Sequence, residues 1–402
     1  MPDEYLSRAH ISMDELSQEL AALEAKSLRR RLRVVEEVLP GGKVRVGGQV
    51  LLNLSSNDYL GLSQDPRIIE AAQAAAARWG AGAGASRLVV GHLALHEAVE
   101  ARLADFKGTE AAVIFPTGYM ANLGTISALV GPGDVIFSDR LNHASIYDGI
   151  KLSGAALQRF PHRDLNRLEQ LLREAGSARR RLIVTDSVFS VDGDVAPLAE
   201  LAALKARYGA WLMVDEAHAT GVLGEKGGGL AEALGLTREV DIHLGTFSKA
   251  LGSQGGYVAG DRRLVDYLYN RARSFIYSTA LAPMVLGAID EALTIVVQEP
   301  ERRLYLARES EDFRQALLAA GLDLLGSETQ IIPVLVGENE HTLKFAASLK
   351  DQGLMAVALR PPTVPPGRAR VRFSLSAGHL REDLRQARET IVATAQAFGL
   401  GS

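Results

Sequence analysis

Cysteine is absent from the chain, so neither a disulfide framework nor a thiolate-ligated metal centre is available to it. No apolar run approaches the roughly 20 residues that a membrane-spanning helix needs. The opening stretch, residues 1–10, is polar and acidic and lacks the apolar segment of a secretory signal. A charge excess is missing too: 44 Lys and Arg stand against 48 Asp and Glu, a formal net charge of −4. So weak a balance gives no electrostatic reason to expect nucleic acid or an anionic membrane as partner. There is no internal repeat of solenoid period and no low-complexity linker. These absences leave a cytoplasmic enzyme without a bound metal as the expectation.

With 402 residues, of which 47% are apolar and 23% charged, the chain has the composition of a globular protein with two or three subdomains. Met13 to Leu32 reads as an amphipathic helix, with Leu16, Leu20, Leu23 and Leu28 near helical spacing and the Arg29–Arg31 run at its end. From Asn57 to Leu293, short β-rich runs alternate with helical segments. The runs are Ala112–Phe115, Asp134–Ser138, Leu182–Asp186, Trp211–Asp215, Ile242–Thr246 and Gly256–Ala259. That alternation predicts an α/β fold, a mostly parallel sheet with helices on both faces and ligands at the carboxyl ends of the strands. After Pro300 the texture becomes that of a smaller α+β unit. The expected division is 1–55, an N-terminal helix and short β segment; 56–295, a large domain; and 296–402, a small C-terminal domain.

Gly80 to Ala85 matches the dinucleotide pattern G-x-G-x-x-A, but the residues before it are helical where that fingerprint needs a strand. A turn is the better reading. The chemistry concentrates elsewhere. Lys249 follows the strand Ile242–Thr246 and precedes the small-residue run Gly252–Gly256. A lysine in such surroundings loses its charge easily and can form a Schiff base. Alone it could equally be structural. Asp215, however, ends the apolar run Trp211–Val214, and His218 lies three residues on. A carboxylate under a pyridine nitrogen keeps that nitrogen protonated and makes the ring an electron sink, while His218 can reach the ring's phenolic oxygen. Thr117-Gly118-Tyr119 opens a helical run after a strand, a natural phosphate site. His143 could stack on a planar ring or serve as a hydrogen-bonded core residue. Together these residues point to pyridoxal 5'-phosphate.

The chain resembles the α-oxoamine synthase family along nearly its whole length, from Ser56-Asn57-Asp58-Tyr59-Leu60-Gly61-Leu62 through Asp215-Glu216-Ala217-His218 and Thr246-Phe247-Ser248-Lys249 to the C-terminal unit. The resemblance implies the type I pyridoxal-phosphate-dependent transferase fold with a seven-stranded sheet. It also implies roles. Lys249 is the Schiff-base and proton-moving lysine, Asp215 pairs with the pyridine nitrogen, and His218 and Ser190 contact the ring-oxygen side. His143 lies over the ring and polarises the acyl carbonyl. Thr117, Gly118, Tyr119 and Thr246 hold phosphate, with Ser278 and Thr279 supplied across a homodimer interface. Arg372, with Asn57 nearby, holds the amino-acid carboxylate, and Arg29 and Thr363 contact substrate. Thr117 departs from the usual serine but keeps its hydroxyl. The segment Arg360-Pro361-Pro362-Thr363-Val364-Pro365 is most similar to the biotin-pathway branch. That branch implies L-alanine and pimeloyl-CoA or a pimeloyl carrier protein as substrates. The alternatives are a sister enzyme using glycine and acetyl-CoA, a dual-function family member, an ordinary aminotransferase and a DNA-binding regulator on the same fold. The last would need a helix-turn-helix that the first 55 residues do not offer.

Overall fold

The computed structural model describes residues 13–401, so the acidic opening stretch lies outside the described residues. The apolar runs of the large segment become strands in the order Ala111–Phe115, Gly256–Gly260, Ile242–Thr246, Trp211–Asp215, Arg181–Asp186, Val135–Asp139 and Ala156–Phe160. Gly256–Gly260 is antiparallel to both its neighbours, and the other pairings are parallel. Alternate residues of each strand feed opposite cores. Val113, Leu182, Val184 and Met213 pack on one face, and Ala112, Ile114, Ile183, Leu212 and Val214 on the other. Both faces are therefore covered by helices, and the strands read as continuous apolar runs rather than alternating ones.

Ala156–Phe160 escaped the sequence reading. It is the outer strand and is exposed at all positions but Phe160, so it carries no apolar run. The N-terminal helix is also shorter than expected, spanning Met13–Ala25. It ends where Ser27 takes a left-handed backbone at φ 53° and the Leu28 N–H returns to the Leu23 carbonyl at 2.8 Å. This closing turn is usually marked by glycine, and a serine in its place leaves no stop signal. The arginine run thus lies on extended chain beyond the helix.

Strands Glu37–Leu39, Lys43–Val46 and Gln49–Asn53 form a second sheet that is completed by Leu354–Met355. The N-terminal strands are therefore bound to the C-terminal segment rather than standing apart. Ile331–Gly337, Ala369–Ser374 and Val357–Leu359 make a third sheet, with helices Pro300–Ala319, Asn339–Asp351 and Arg381–Ala397 in the same part of the chain. The Gly80–Ala85 segment follows helix Pro66–Trp79, and Gly80 caps that helix at φ 90°. Among the described residues, no helix is long and apolar enough to cross a membrane.

Candidate active site

Parallel strands bring their carboxyl ends to one edge of the sheet. Asp186 is opposite Asp215, Asp215 opposite Leu244, Thr246 opposite Gly256, and Gly256 opposite Phe115. A cavity of about 170 Å³ opens there. Its walls hold Thr117, Gly118, Tyr119, His143, Ser190, Asp215, His218, Thr246 and Lys249, all drawn from the sequence as candidates.

Thr117 caps helix Gly118–Leu129 through Met120 N–H to Thr117 Oγ1 at 3.1 Å. The N–H groups of Gly118 and Tyr119 find no protein acceptor among the described residues. Two free N–H donors at the positive end of a helix fit a phosphate. Backbone must come close here. A Cβ on Gly256 would lie 2.5 Å from Gly118 Cα, and one on Gly118 would lie 3.3 Å from Thr246 Cβ. Thr246 Oγ1 bonds the Gly255 carbonyl at 2.6 Å and meets Ser248 Oγ at 2.7 Å. Tyr119 donates to Asp148 and is exposed.

Asp215 is buried and accepts from Ala217 N–H at 2.9 Å and from Asn122 Nδ2 at 2.8 Å. These donors fix the orientation of its carboxyl group. His143 caps helix Ala144–Ser153. Its Nδ1 accepts from Ser145 N–H at 3.3 Å, so the neutral ring carries its proton on Nε2. Burial, then the Lys249 charge, lowers the His143 pKa against the pull of Asp215. His218 Nδ1 lies 2.6 Å from the Tyr59 hydroxyl, and its pKa is well below the ordinary value because it is buried near Lys249 and Arg372. Enclosure by the cavity walls likewise pushes Lys249 down from the usual lysine range, opposed by Asp215 and Asp186. A lysine with its amine partly neutral is the form that attacks an aldehyde.

These groups fit pyridoxal phosphate. A buried, doubly hydrogen-bonded carboxylate suits a pyridinium nitrogen, free helix N–H groups suit a phosphate, and a desolvated lysine suits an aldehyde. The remaining candidates lie outside the cavity walls. Arg372 donates to the Ser190 carbonyl at 2.7 Å and to Asn57 Oδ1 at 3.1 Å, and Asn57 also accepts from Tyr59 at 3.1 Å. Arg372 and Asn57 are thus connected to Ser190 and His218. Ser278 and Thr279 border a separate small crevice beside Arg87 and Pro116, and Ser278 Oγ lies 3.8 Å from Met120 Sδ in the helix that Thr117 caps. Thr363 is met by Arg30 at 3.2 Å, whereas Arg29 faces Glu24 at 3.5 Å. The arginine run and Thr363, both expected as substrate contacts, do come together, through Arg30.

Asn122, Ser145, Asp186 and Ser248 also line the cavity and were not chosen from sequence. Asn122 stands one helical turn after Gly118, a spacing that puts both on one face. Asp186 ends a strand beside Asp215, so its position in the sequence did carry a signal. Burial, then the charge of Asp215, raises its pKa well above the carboxylate range.

The family model for aminotransferase class I and II matches residues 49–391. The 8-amino-7-oxononanoate synthase of Geobacter metallireducens is 51% identical over 387 residues, 96% of this chain and 98% of that protein. A serine palmitoyltransferase from S. paucimobilis, solved with a bound pyridoxal phosphate–myriocin aldimine, superposes with a TM-score of 0.91 at 32% identity, covering 96% of this chain and 98% of that one. An 8-amino-7-oxononanoate synthase from Francisella tularensis superposes with a TM-score of 0.76 at 29% identity, over 86% of this chain and 98% of that one. The chain therefore belongs to the aminotransferase class I and II family, on the type I pyridoxal-phosphate transferase fold, as an α-oxoamine synthase of the 8-amino-7-oxononanoate synthase group, a pyridoxal-phosphate-dependent acyltransferase of biotin biosynthesis.

Proposed function

We propose that this chain condenses L-alanine with a pimeloyl thioester, on CoA or an acyl carrier protein, to give 8-amino-7-oxononanoate, CO₂ and free thiol. The observation that carries the reading is 51% identity to a synthase of that name across 96% of the chain, with the Lys249, Asp215 and His218 constellation intact. Pyridoxal phosphate, when bound, supplies the electron sink that lets the alanine Cα carry negative charge before and after CO₂ is lost.

The protein's own groups do the rest. Asp215 keeps its charge toward the pyridine nitrogen, oriented by Asn122 and Ala217. Gly118, Tyr119, Thr117 and Thr246 hold the phosphate end. Arg372 binds the alanine carboxylate, braced by Ser190 and Asn57. Lys249 Nζ takes the Cα proton and returns one after decarboxylation. His143 Nε2–H donates to the acyl carbonyl oxygen as the new carbon–carbon bond forms and the thiol departs. His218 and Ser190 hold the ring-oxygen side. Ser278 and Thr279, which do not line the cavity of their own chain, complete the phosphate site of a second copy in a homodimer. Alanine labelled at the carboxyl carbon tests the reading directly. Incubated with pimeloyl-CoA, it should release labelled CO₂ in step with free thiol. Thiol release without labelled CO₂ would remove the proposal.

A further inference from the structure

His162 lies in the loop between strand Ala156–Phe160 and helix Leu165–Glu174, outside the cavity walls. Its two ring nitrogens each meet a carboxylate. Nδ1 is 3.0 Å from Asp139 Oδ1, and Nε2 is 2.6 Å from Asp194 Oδ2. A carboxylate only accepts hydrogen bonds, and a neutral imidazole has one N–H. Both contacts are satisfied only by an imidazolium. Asp194 depends on it, since among the described residues Asp194 Oδ1 is buried without a partner and the one other cation on this carboxylate, Arg163, stands 3.5 Å from Oδ2.

Each carboxylate belongs to a segment that serves the site. Asp139 accepts from Leu141 N–H at 2.8 Å and so shapes the loop leading to His143. Asp194 closes a turn with Phe189, whose N–H reaches the Asp194 carbonyl at 3.0 Å. Within that turn the Ser190 carbonyl accepts from Arg372 at 2.7 Å. We propose that His162 is a positioning residue, whose imidazolium ties the loop presenting His143 to the turn presenting Ser190, whose carbonyl in turn holds Arg372. The roles of those three residues rest on the function proposed above; the tie itself does not.

Burial alone would lower the pKa of His162, but Asp139 and Asp194 raise it to about 9. The other charges nearby are Arg163, which also reaches Glu328 at 3.3 Å, and Asp192, which is paired with Arg370. Because the folded value is above the ordinary 6.5, the tie contributes fully below about pH 6.5 and is lost as pH rises through 9.

Hydrogen–deuterium exchange, corrected for the intrinsic effect of pH, tests this without substrate. At pH 7, His162→Gln should exchange at least about tenfold faster than the unaltered protein in both segments 140–146 and 188–196, with helix Arg381–Ala397 unchanged. In the unaltered protein, protection in those two segments should fall together from about pH 6.5 and level off above about 9. If His162→Gln loosens the whole chain, the pH series decides alone. Protection unchanged in the variant, or segments that respond separately to pH, would overturn the proposal. The alanine KM, rising more than kcat falls in His162→Gln, is the matching kinetic readout. Its failure alone would count against the assigned role of Arg372 and leave the tie standing.

Discussion

Lys249 and Asp215 carry the chemistry, and each has a substitution that isolates its role. Lys249→Ala should abolish turnover while leaving the phosphate-binding helix end intact, because the amine that moves the Cα proton is gone. Single-turnover loss of the α-proton from deuterated alanine checks it, and exchange at the normal rate would contradict the role. Asp215→Asn keeps the shape but removes the charge and one of the two acceptor oxygens. Proton abstraction should slow by more than about a hundredfold with the protein still folded, since an uncharged amide cannot hold the pyridine nitrogen protonated. A smaller effect would place the electron-sink control elsewhere. Both residues were legible because a polar residue at the end of an apolar strand is conspicuous. Asn122 and Ser145 were not, for they are ordinary residues inside helices whose importance comes only from the sheet edge they face. His162 was silent for a similar reason, its two carboxylates coming from a strand end and a turn distant in sequence.

At the level of elements, the site depends on how closely a strand and a helix end approach. Gly256→Ala would place a Cβ 2.5 Å from Gly118 backbone atoms. Backbone cannot turn aside as a side chain can, so the helix end must shift, at a cost of about 1–3 kcal/mol. The melting temperature and cofactor retention should fall together; an unchanged value of both would show that the contact is not confining. The arginine run offers a second test. Thr363 is met by Arg30, not Arg29. Arg30→Ala should raise the KM of the acyl donor by a few-fold, since the Arg30–Thr363 contact is exposed and such contacts are worth about 0–1 kcal/mol. Arg29→Ala should do less, and the reverse order would restore Arg29 as the contact. The sequence marked the cationic run but not which of its residues meets Thr363, because that depended on where the helix stopped. The strands of the large sheet were legible through their buried apolar runs. Its exposed outer strand was not.

Across the whole molecule, apolar surface is left uncovered in a single chain. Leu88, Val89 and Val90 are 56%, 71% and 75% exposed, Tyr277 is 71% exposed, and Leu16, Leu20 and Leu23 line one helix that buries none of its residues. Such surface marks association, and it includes the neighbourhood of Ser278 and Thr279. Sedimentation should find a dimer at assay concentration, with activity lost on dilution to monomer; an active monomer would refute the composite site. The central claim is the choice of substrates. One methyl group distinguishes alanine from glycine, worth about 1–3 kcal/mol in a fitted pocket. Each extra buried methylene of the pimeloyl chain adds about 0.8 kcal/mol over acetyl. The decisive measurement is kcat/KM for alanine with a pimeloyl thioester against glycine with acetyl-CoA. The first pair should win by at least about a hundredfold, chiefly on the acyl side. Equal values, or preference for glycine and acetyl-CoA, would contradict it.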